Sequence, residues 1–260
     1  MEKATGIKPG VCPNMPRHDY DAAPATSHSM LQEFRRGETM KTNRRLLIGN
    51  AFHKFCELND YGKYREEFPT TDADFDLRLK DQKEAFAILQ ERKGKNLLRK
   101  SENQLVDNMI FALEHSEIGD QFLKTPGGTE LAIFGTLGDS DGDHLLRKHD
   151  TLCKGLVDKV TDNYLWDIKT TNCQDEQEFK DSILKFNYDS QFAMYRELYF
   201  SATGTYKPCA WLCVCIQPPH NVFIPMQAGR PLPGPYMLNC GLRRLDTLLT
   251  FFERYSDDEG

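Results

Sequence analysis

No stretch of about 18 consecutive apolar residues occurs in the 260-residue chain, so no membrane-spanning helix is expected. Residues 1–14 lack the apolar segment of a secretory signal, so export by that route is not expected and a cytoplasmic location is. Eight cysteines are present but without framework spacing, which excludes a disulfide scaffold and fits reduced thiols. Positive charge is not in excess: 33 Lys and Arg stand against 39 Asp and Glu, a net charge of −6. The surface as a whole is therefore no magnet for nucleic acid, and any DNA must be met by a local basic groove. Repeats and low-complexity segments are missing too. What is left is an ordinary globular composition, 39 % apolar and 28 % charged, long enough to bury a substantial core.

Residues 1–25, rich in Pro, Gly and charge, read as an extended N-terminal arm, and residues 26–260 as a single domain. Ser27-His28-Ser29 offers helix-capping residues ahead of Met30, Leu31 and Phe34 at helical spacing. Further helices are expected over 43–58, over most of 83–116 with a break near Gly94, over 176–200 as one helix or two, and over 239–255. Strands are expected over 130–134, in a hairpin between 155 and 170, over 209–216 and over 221–225. The run from Cys209 to Ile216 is apolar throughout and reads as a strand buried on both faces. Helices, then strands interrupted by a helix, then a closing helix predict an α/β domain with a mixed sheet.

The hairpin carries the chemistry. Asp162-Asn163 suits a two-residue loop, since both residues tolerate positive φ. That loop pairs Val160 with Leu165, Lys159 with Trp166 and Asp158 with Asp167; a three-residue loop would shift the register. Opposed residues hold their Cβ atoms about 4.5–5.5 Å apart, where like charges repel unless a hard cation lies between them. Alternation puts Lys169 on the face of the two acids and points Val157 and Ile168 the other way, into the core. A solvated acidic hairpin is the alternative that spacing alone leaves open.

Three other features accompany it. His53 follows Gly49 by one helical turn; a lone helical histidine is more often a packed or solvated residue. Gln191 and Tyr195 share one helix face at i and i+4. Glu130 is the only acid in its strand. In order, Gly49 and His53, Glu130, Asp158, Asp167-x-Lys169, and Gln191 with Tyr195 resemble the PD-(D/E)XK nuclease superfamily. The similarity is to its RecB-type branch, and within that to RecE-like phage and prophage exonucleases. It spans roughly residues 20–250. Two departures are a short spacing from Asp158 to Asp167 and Cys56-Glu57-Leu58-Asn59 in place of the family's Leu-Glu-Pro.

The resemblance implies a restriction-endonuclease-like α/β core, a central mixed β-sheet flanked by helices, and phosphodiester hydrolysis assisted by Mg2+, with Mn2+ as a substitute. It implies that Asp158, Asp167, His53 and the backbone carbonyl of Ile168 hold the ion. Lys169 would orient water or offset phosphate charge, and Glu130 would place a water or a second ion. Gln191 and Tyr195 would contact DNA, with Lys154, Lys185, Arg35 and Arg36 as phosphate contacts. Some relatives hold an iron–sulfur cluster through four cysteines. Cys209, Cys213, Cys215 and Cys240 lack a Cys-x-x-Cys, so none is expected here. The implied activity is 5′-to-3′ degradation of one strand at double-stranded DNA ends, leaving 3′ overhangs for a single-strand annealing protein. The implied assembly is a homo-oligomeric ring, trimer or tetramer, in a bacterial or phage-infected cytosol. Another RecB-type nuclease, acting on single strands or on structured DNA, is the main alternative; a non-catalytic DNA-binding relative is a weaker one.

Overall fold

The structure is a computed structural model that describes residues 9–37, 43–138 and 145–256. Its first elements are β1 (Gly10–Cys12), α1 (Arg17–Ala22), β2 (Thr26–Ser27) and α2 (His28–Arg36). A helical segment follows: α3 (Arg44–Leu58), α4 (Tyr61–Glu67), α5 (Lys80–Lys93), α6 (Lys100–His115) and α7 (Glu117–Lys124). Three strands come next, β3 (Gly128–Gly135), β4 (Cys153–Val160) and β5 (Leu165–Thr171). Then come α8 (Glu176–Phe186), α9 (Tyr188–Thr203) and β6 (Cys209–Cys215). The chain closes with β7 (Val222–Phe223), the small hairpin β8 (Met226–Gln227) and β9 (Arg230–Pro231), and α10 (Pro235–Tyr255).

The main sheet runs β1-β3-β4-β5-β6-β7, with β2 added beside β4. It is mixed: β5 and β6 are parallel over seven pairs, from Leu165↔Cys209 to Thr171↔Cys215, while β3, β4 and β5 are antiparallel neighbours. Every residue of β6 is buried, as its unbroken apolar sequence requires. On one face Trp211, Cys213 and Val157 pack with Phe192 and Leu198 of α9 and with Leu245 and Leu249 of α10. On the other, Ile168, Leu212 and Val214 pack with Phe52 and Phe55 of α3 and with Met109 and Leu113 of α6. Helices thus cover both faces of a central mixed sheet.

Local chemistry sets most boundaries. Ser27 caps α2 by accepting the Met30 N–H at 3.3 Å, and Gly37 ends that helix at φ 65°. Asn43 caps α3 at 2.9 Å through the Leu46 N–H. Asn187, at φ 57°, splits the segment expected over 176–200 into α8 and α9. Pro235 starts α10 four residues earlier than the expected 239, since proline suits the first helical position.

The expected extended arm needs correction. Among residues 9–25, β1 pairs antiparallel with β3, and α1 packs Tyr20 against Phe134 with ring centroids 6.1 Å apart. A three-residue strand and a six-residue helix are too short to show a period in the sequence. Residues 1–8 of that arm lie outside the described residues.

Candidate active site

The site opens where β4 lacks a neighbour. One edge of β4 is paired with β2 at its start (Cys153, Lys154) and with β5 at its end (Lys159, Val160). Between these pairings residues 155–158 meet no strand on that edge. The expected register holds: Val160 faces Leu165 and Lys159 faces Trp166, with the Thr161 N–H donating to the Tyr164 carbonyl at 3.0 Å. The ladder stops there. Instead of a cross-strand pair with Asp167, the Asp158 carboxylate accepts the Ile168 backbone N–H at 2.6 Å.

The expected facing of side chains is corrected by the same feature. Val157 and Val160, three apart, both pack against the α9-side cluster, so alternation is interrupted at Asp158. Ile168 packs on the opposite, α3-side cluster, so Val157 and Ile168 do not share a face. Across the other edge, Thr129 and Leu131 pair with Lys159 and Val157, while Glu130, opposite Asp158, is left out and adopts φ 48°. A non-glycine residue in that conformation costs on the order of 1–2 kcal/mol. Distortion in two neighbouring strands thus centres on one acidic pair.

A cavity of about 450 Å³ fills the gap. It brings together His53, Asp158, Asp167, Lys169, Gln191 and Tyr195, all six of which the sequence singled out. Asp167 is only 4 % exposed. Lys169 Nζ lies 2.8 Å from Asp167 Oδ2 and donates to Gln191 Oε1 at 3.0 Å; Gln191 Nε2 donates to the Tyr195 hydroxyl at 2.8 Å. The Lys169 ammonium also sits 4.5 Å from the centre of the Tyr188 ring. His53 Nδ1 stands 3.5 Å from Asp158 Oδ1. Two glycines make the approach close: a Cβ on Gly49 would come within 3.0 Å of Thr170 Oγ1, and one on Gly155 within 2.9 Å of the Tyr195 ring.

Electrostatics separate the two acids. Burial pushes Asp167 up to about 6, with the Asp158 charge adding and Lys169 only partly offsetting. Burial also acts against the charge on Asp158, but His53, the Ile168 N–H and Lys169 outweigh it and hold its carboxyl below the usual range. Burial would discharge Lys169, yet the Asp167 carboxylate reverses this and keeps it an ammonium. His53 is likewise raised, because Asp158 outweighs burial. Glu130 is raised by burial and by the charges of Asp158 and Glu57, with Arg17 Nη1 3.9 Å away.

A divalent cation fits this donor set in part. Asp167 Oδ2 is buried with the Lys169 ammonium at 2.8 Å as its one charged neighbour, and Asp158 is the ionised acid beside it. Among the described residues, no three His, Cys, Asp or Glu side chains are gathered tightly enough to hold an ion alone. A divalent ion held by two carboxylates would complete its shell with water and substrate phosphate.

Four expected phosphate contacts lie elsewhere or are occupied. Lys154 borders the cavity but is buried, and its ammonium donates to the carbonyls of Tyr20, Asp21 and Ala23 at 2.8–3.1 Å. It caps the C-terminal end of α1, which uses all three of its protons. Arg35 and Arg36 are exposed in the last turn of α2, away from the cavity that the first turn borders. Lys185 is exposed on α8 above the Phe186 ring and does not border the cavity.

The sequence reading missed the wall opposite Asp167. Arg17, Tyr20 and Asp21 of α1 and His28, Ser29 and Glu33 of α2 border the cavity. His28 Nε2 meets Ser190 Oγ at 2.8 Å, and that hydroxyl donates to the Asn187 carbonyl. Nε2 is therefore the donor, and burial with the Lys169 charge pushes His28 down to about 3, so the ring is neutral. The only sequence signal for this wall is Ser27-His28-Ser29, which reads as a helix start.

The model of a family described as a PDDEXK-like domain of unknown function (DUF3799) matches residues 21–227. The chain belongs to this PDDEXK-like family. A solved structure named “Putative exonuclease” from Eubacterium rectale shares the fold at a TM-score of 0.62 and 15 % identity. The alignment covers 95 % of this chain and 88 % of that one. No curated protein matches the chain. Among the described residues, no helix is long and apolar enough to cross a membrane.

Proposed function

We propose that this protein is a metal-dependent DNA nuclease, and specifically a 5′-to-3′ exonuclease on double-stranded ends. The observation that carries the reading is the convergence of Asp158, Asp167 and Lys169 in the gap beside β4, with the buried Asp167 carboxylate paired to the Lys169 ammonium at 2.8 Å. Asp158, Asp167 and the Ile168 carbonyl would hold Mg2+, or Mn2+ in its place. When bound, such an ion polarises phosphate, lowers the pKa of water and stabilises the leaving oxygen.

The chain's own residues do the rest. His53 and the Ile168 N–H keep Asp158 ionised and oriented, ready as a ligand. Lys169 stays an ammonium at neutral pH, so it stabilises charge on the phosphate rather than acting as the free base. Gln191 fixes Lys169 on one side and Tyr195 on the other, and both polar tips border the cavity that the scissile phosphate would enter. Water adds to phosphorus and the P–O3′ bond breaks, leaving a 3′ hydroxyl and a 5′ phosphate.

The finer reading, resection at duplex ends by a closed ring to feed a strand-annealing partner, is supported by the RecE-like order of motifs. An acidic net charge also suits a ring, since only its channel must be positive. Blunt linear duplex labelled at the 5′ end tests the enzyme: labelled mononucleotides should appear with Mg2+ and not with EDTA. Release from 3′-labelled duplex first would overturn the polarity, and preference for single strands would favour the alternative RecB-type reading. Failure to cut any DNA would overturn the enzyme. A monomeric mass in solution would remove the ring.

A further inference from the structure

A second cavity, of about 580 Å³, shares no residue with the first. It lies at the start of β5 and β6, where Tyr164, Pro208 and Cys209 meet the N-terminal end of α10. Tyr164 is three residues before Asp167, about 10 Å away along the strand. The two cavities differ in charge. Asp21, Glu33, Asp158 and Asp167 border the first together with Arg17, Lys154 and Lys169, whereas the charged residues bordering the second are Arg196, Lys207 and Arg230, without an acid.

Two of these cations are held ready. The Arg196 guanidinium lies 4.3 Å from the centre of the Tyr206 ring, and that ring stacks on Phe200 at 4.0 Å and 6°. The Tyr206 hydroxyl donates to Glu197 at 3.0 Å, which fixes the stack. Arg196 is thus a flat, preoriented fork. Arg230 is set by the β8–β9 hairpin, whose two loop residues Ala228 and Gly229 have φ of 49° and 73°. Lys207 is engaged within the fold, donating to the carbonyls of Thr161 and Asp162 at 2.7 and 2.8 Å and tying the β4–β5 turn in place. The 21-residue α10 has no side-chain cap and begins at the cavity with Gly234 and Pro235, so the positive end of its dipole faces the same space. Tyr164, Pro233 and Leu238 supply an apolar wall.

We infer that this cavity is a second nucleotide site, taking a nucleoside phosphate whose phosphate meets Arg196 and Arg230 and whose base lies against the Tyr164 wall. Arginine forks match phosphate oxygens in pairs, and a flat apolar wall accepts any base. The volume falls within the range of small-ligand pockets, about 300–1,000 Å³. The nucleotide comes either as a free monophosphate or as part of a strand that also passes the catalytic gap; only the second source rests on the nuclease reading.

Binding is measured by calorimetry with full-length protein in EDTA, using dAMP, inorganic phosphate and a ten-residue oligothymidylate as probes. We expect dAMP to bind, phosphate alone to bind more weakly, and Arg196→Ala or Arg230→Ala to weaken dAMP roughly tenfold or more each. Arg196→Lys should also weaken it, since charge remains but the stacked fork is lost. Lys169→Ala should leave dAMP unchanged. Oligothymidylate binding that is tighter than dAMP and equally sensitive to Arg230→Ala identifies the strand as the source; equal affinities identify free nucleotide. No dAMP or oligothymidylate binding, or binding lost only in Lys169→Ala, overturns the inference. Arg230 sits on an exposed hairpin, so its variant tests the site even if Arg196→Ala destabilises the fold. Because EDTA prevents hydrolysis in every arm, a failed cleavage assay and a failed binding assay are read separately.

Discussion

The two edges of β4 are built for different purposes. Toward β3 the strand makes seven register pairs and skips only the one between Glu130 and Asp158. Toward its other side it makes two pairs with β2 and two with β5, with a four-residue gap between. The first edge holds the sheet together. The second gives up backbone pairing, and a carboxylate takes an N–H that a ladder would have used. A buried polar backbone group must find a partner, so the site and the gap are one feature: opening the strands is what makes Asp158 a side chain with a fixed position.

The largest effects should separate the gap from the scaffold. Lys169→Ala and Asp158→Asn, whose amide oxygen can still accept the Ile168 N–H, should each reduce DNA cleavage by roughly a thousandfold or more, about 4 kcal/mol of barrier, while thermal unfolding stays within a few degrees of wild type. Normal cleavage by Lys169→Ala would remove its proposed role. The converse belongs to β6, which pairs with β5 along its whole length. Trp211 is fully buried there, 4.8 Å from Phe192 and 5.5 Å from Phe179 between ring centroids. Trp211→Ala should cost about 3–5 kcal/mol in chemical denaturation. Trp211→Phe should cost far less, since it also removes an indole N–H that has no partner. If the two variants were equally unstable, packing would not be what Trp211 contributes.

A middle-sized effect tests the charge stored in the gap. Asp167 has an ordinary pKa of 3.8 and a folded value of about 6. Between those values the native state keeps a proton that the unfolded chain has released, so stability falls as pH rises through the interval and stays lower above it. At about 1.36 kcal/mol per unit, the deficit near neutral pH reaches up to about 3 kcal/mol. In EDTA, Asp167→Asn should therefore be more stable than wild type near neutral pH, with the advantage vanishing below about pH 4. Millimolar Mg2+ should raise the unfolding midpoint of wild type and not of the variant. A variant less stable than wild type at neutral pH, in EDTA, would show that Lys169 fully offsets the buried charge.

Much of this site was legible because chemistry constrains residue types along short segments. The Asp162-Asn163 turn set the β4–β5 register correctly for Val160 and Lys159, and the six cavity residues were found by type and order. The local period of two could not foretell that β4 loses its alternation at Asp158, because the break involves pairing with neighbouring strands, where Glu130 is left out and β2 ends at Lys154. Surface cations were the poorest guide. Lys154 reads like any basic residue next to an acid motif, yet tertiary packing gives it three carbonyls of α1. Arg35, Arg36 and Lys185 were singled out by charge alone, and the fold places all three away from the cavity. The α1 wall escaped because six helical residues carry no usable period.

The smallest effect bears on why the ladder breaks where it does. Glu130 occupies the left-handed region within β3, a conformation that glycine adopts freely and β-branched residues resist. If this backbone is set by the need to leave Asp158 unpaired, Glu130→Gly should relieve strain while adding unfolded-chain entropy. Those terms nearly cancel, to a net change under about 1 kcal/mol. Glu130→Val meets only the strain and should cost about 2 kcal/mol, read as a lower urea midpoint at unchanged slope. Equal stability of the two variants would mean that position 130 is not strained, and that the break is imposed from the β5 side alone. A glycine variant that keeps the wild-type midpoint but loses cleavage would instead separate the two contributions of Glu130, leaving its backbone to the fold and its carboxylate to the site.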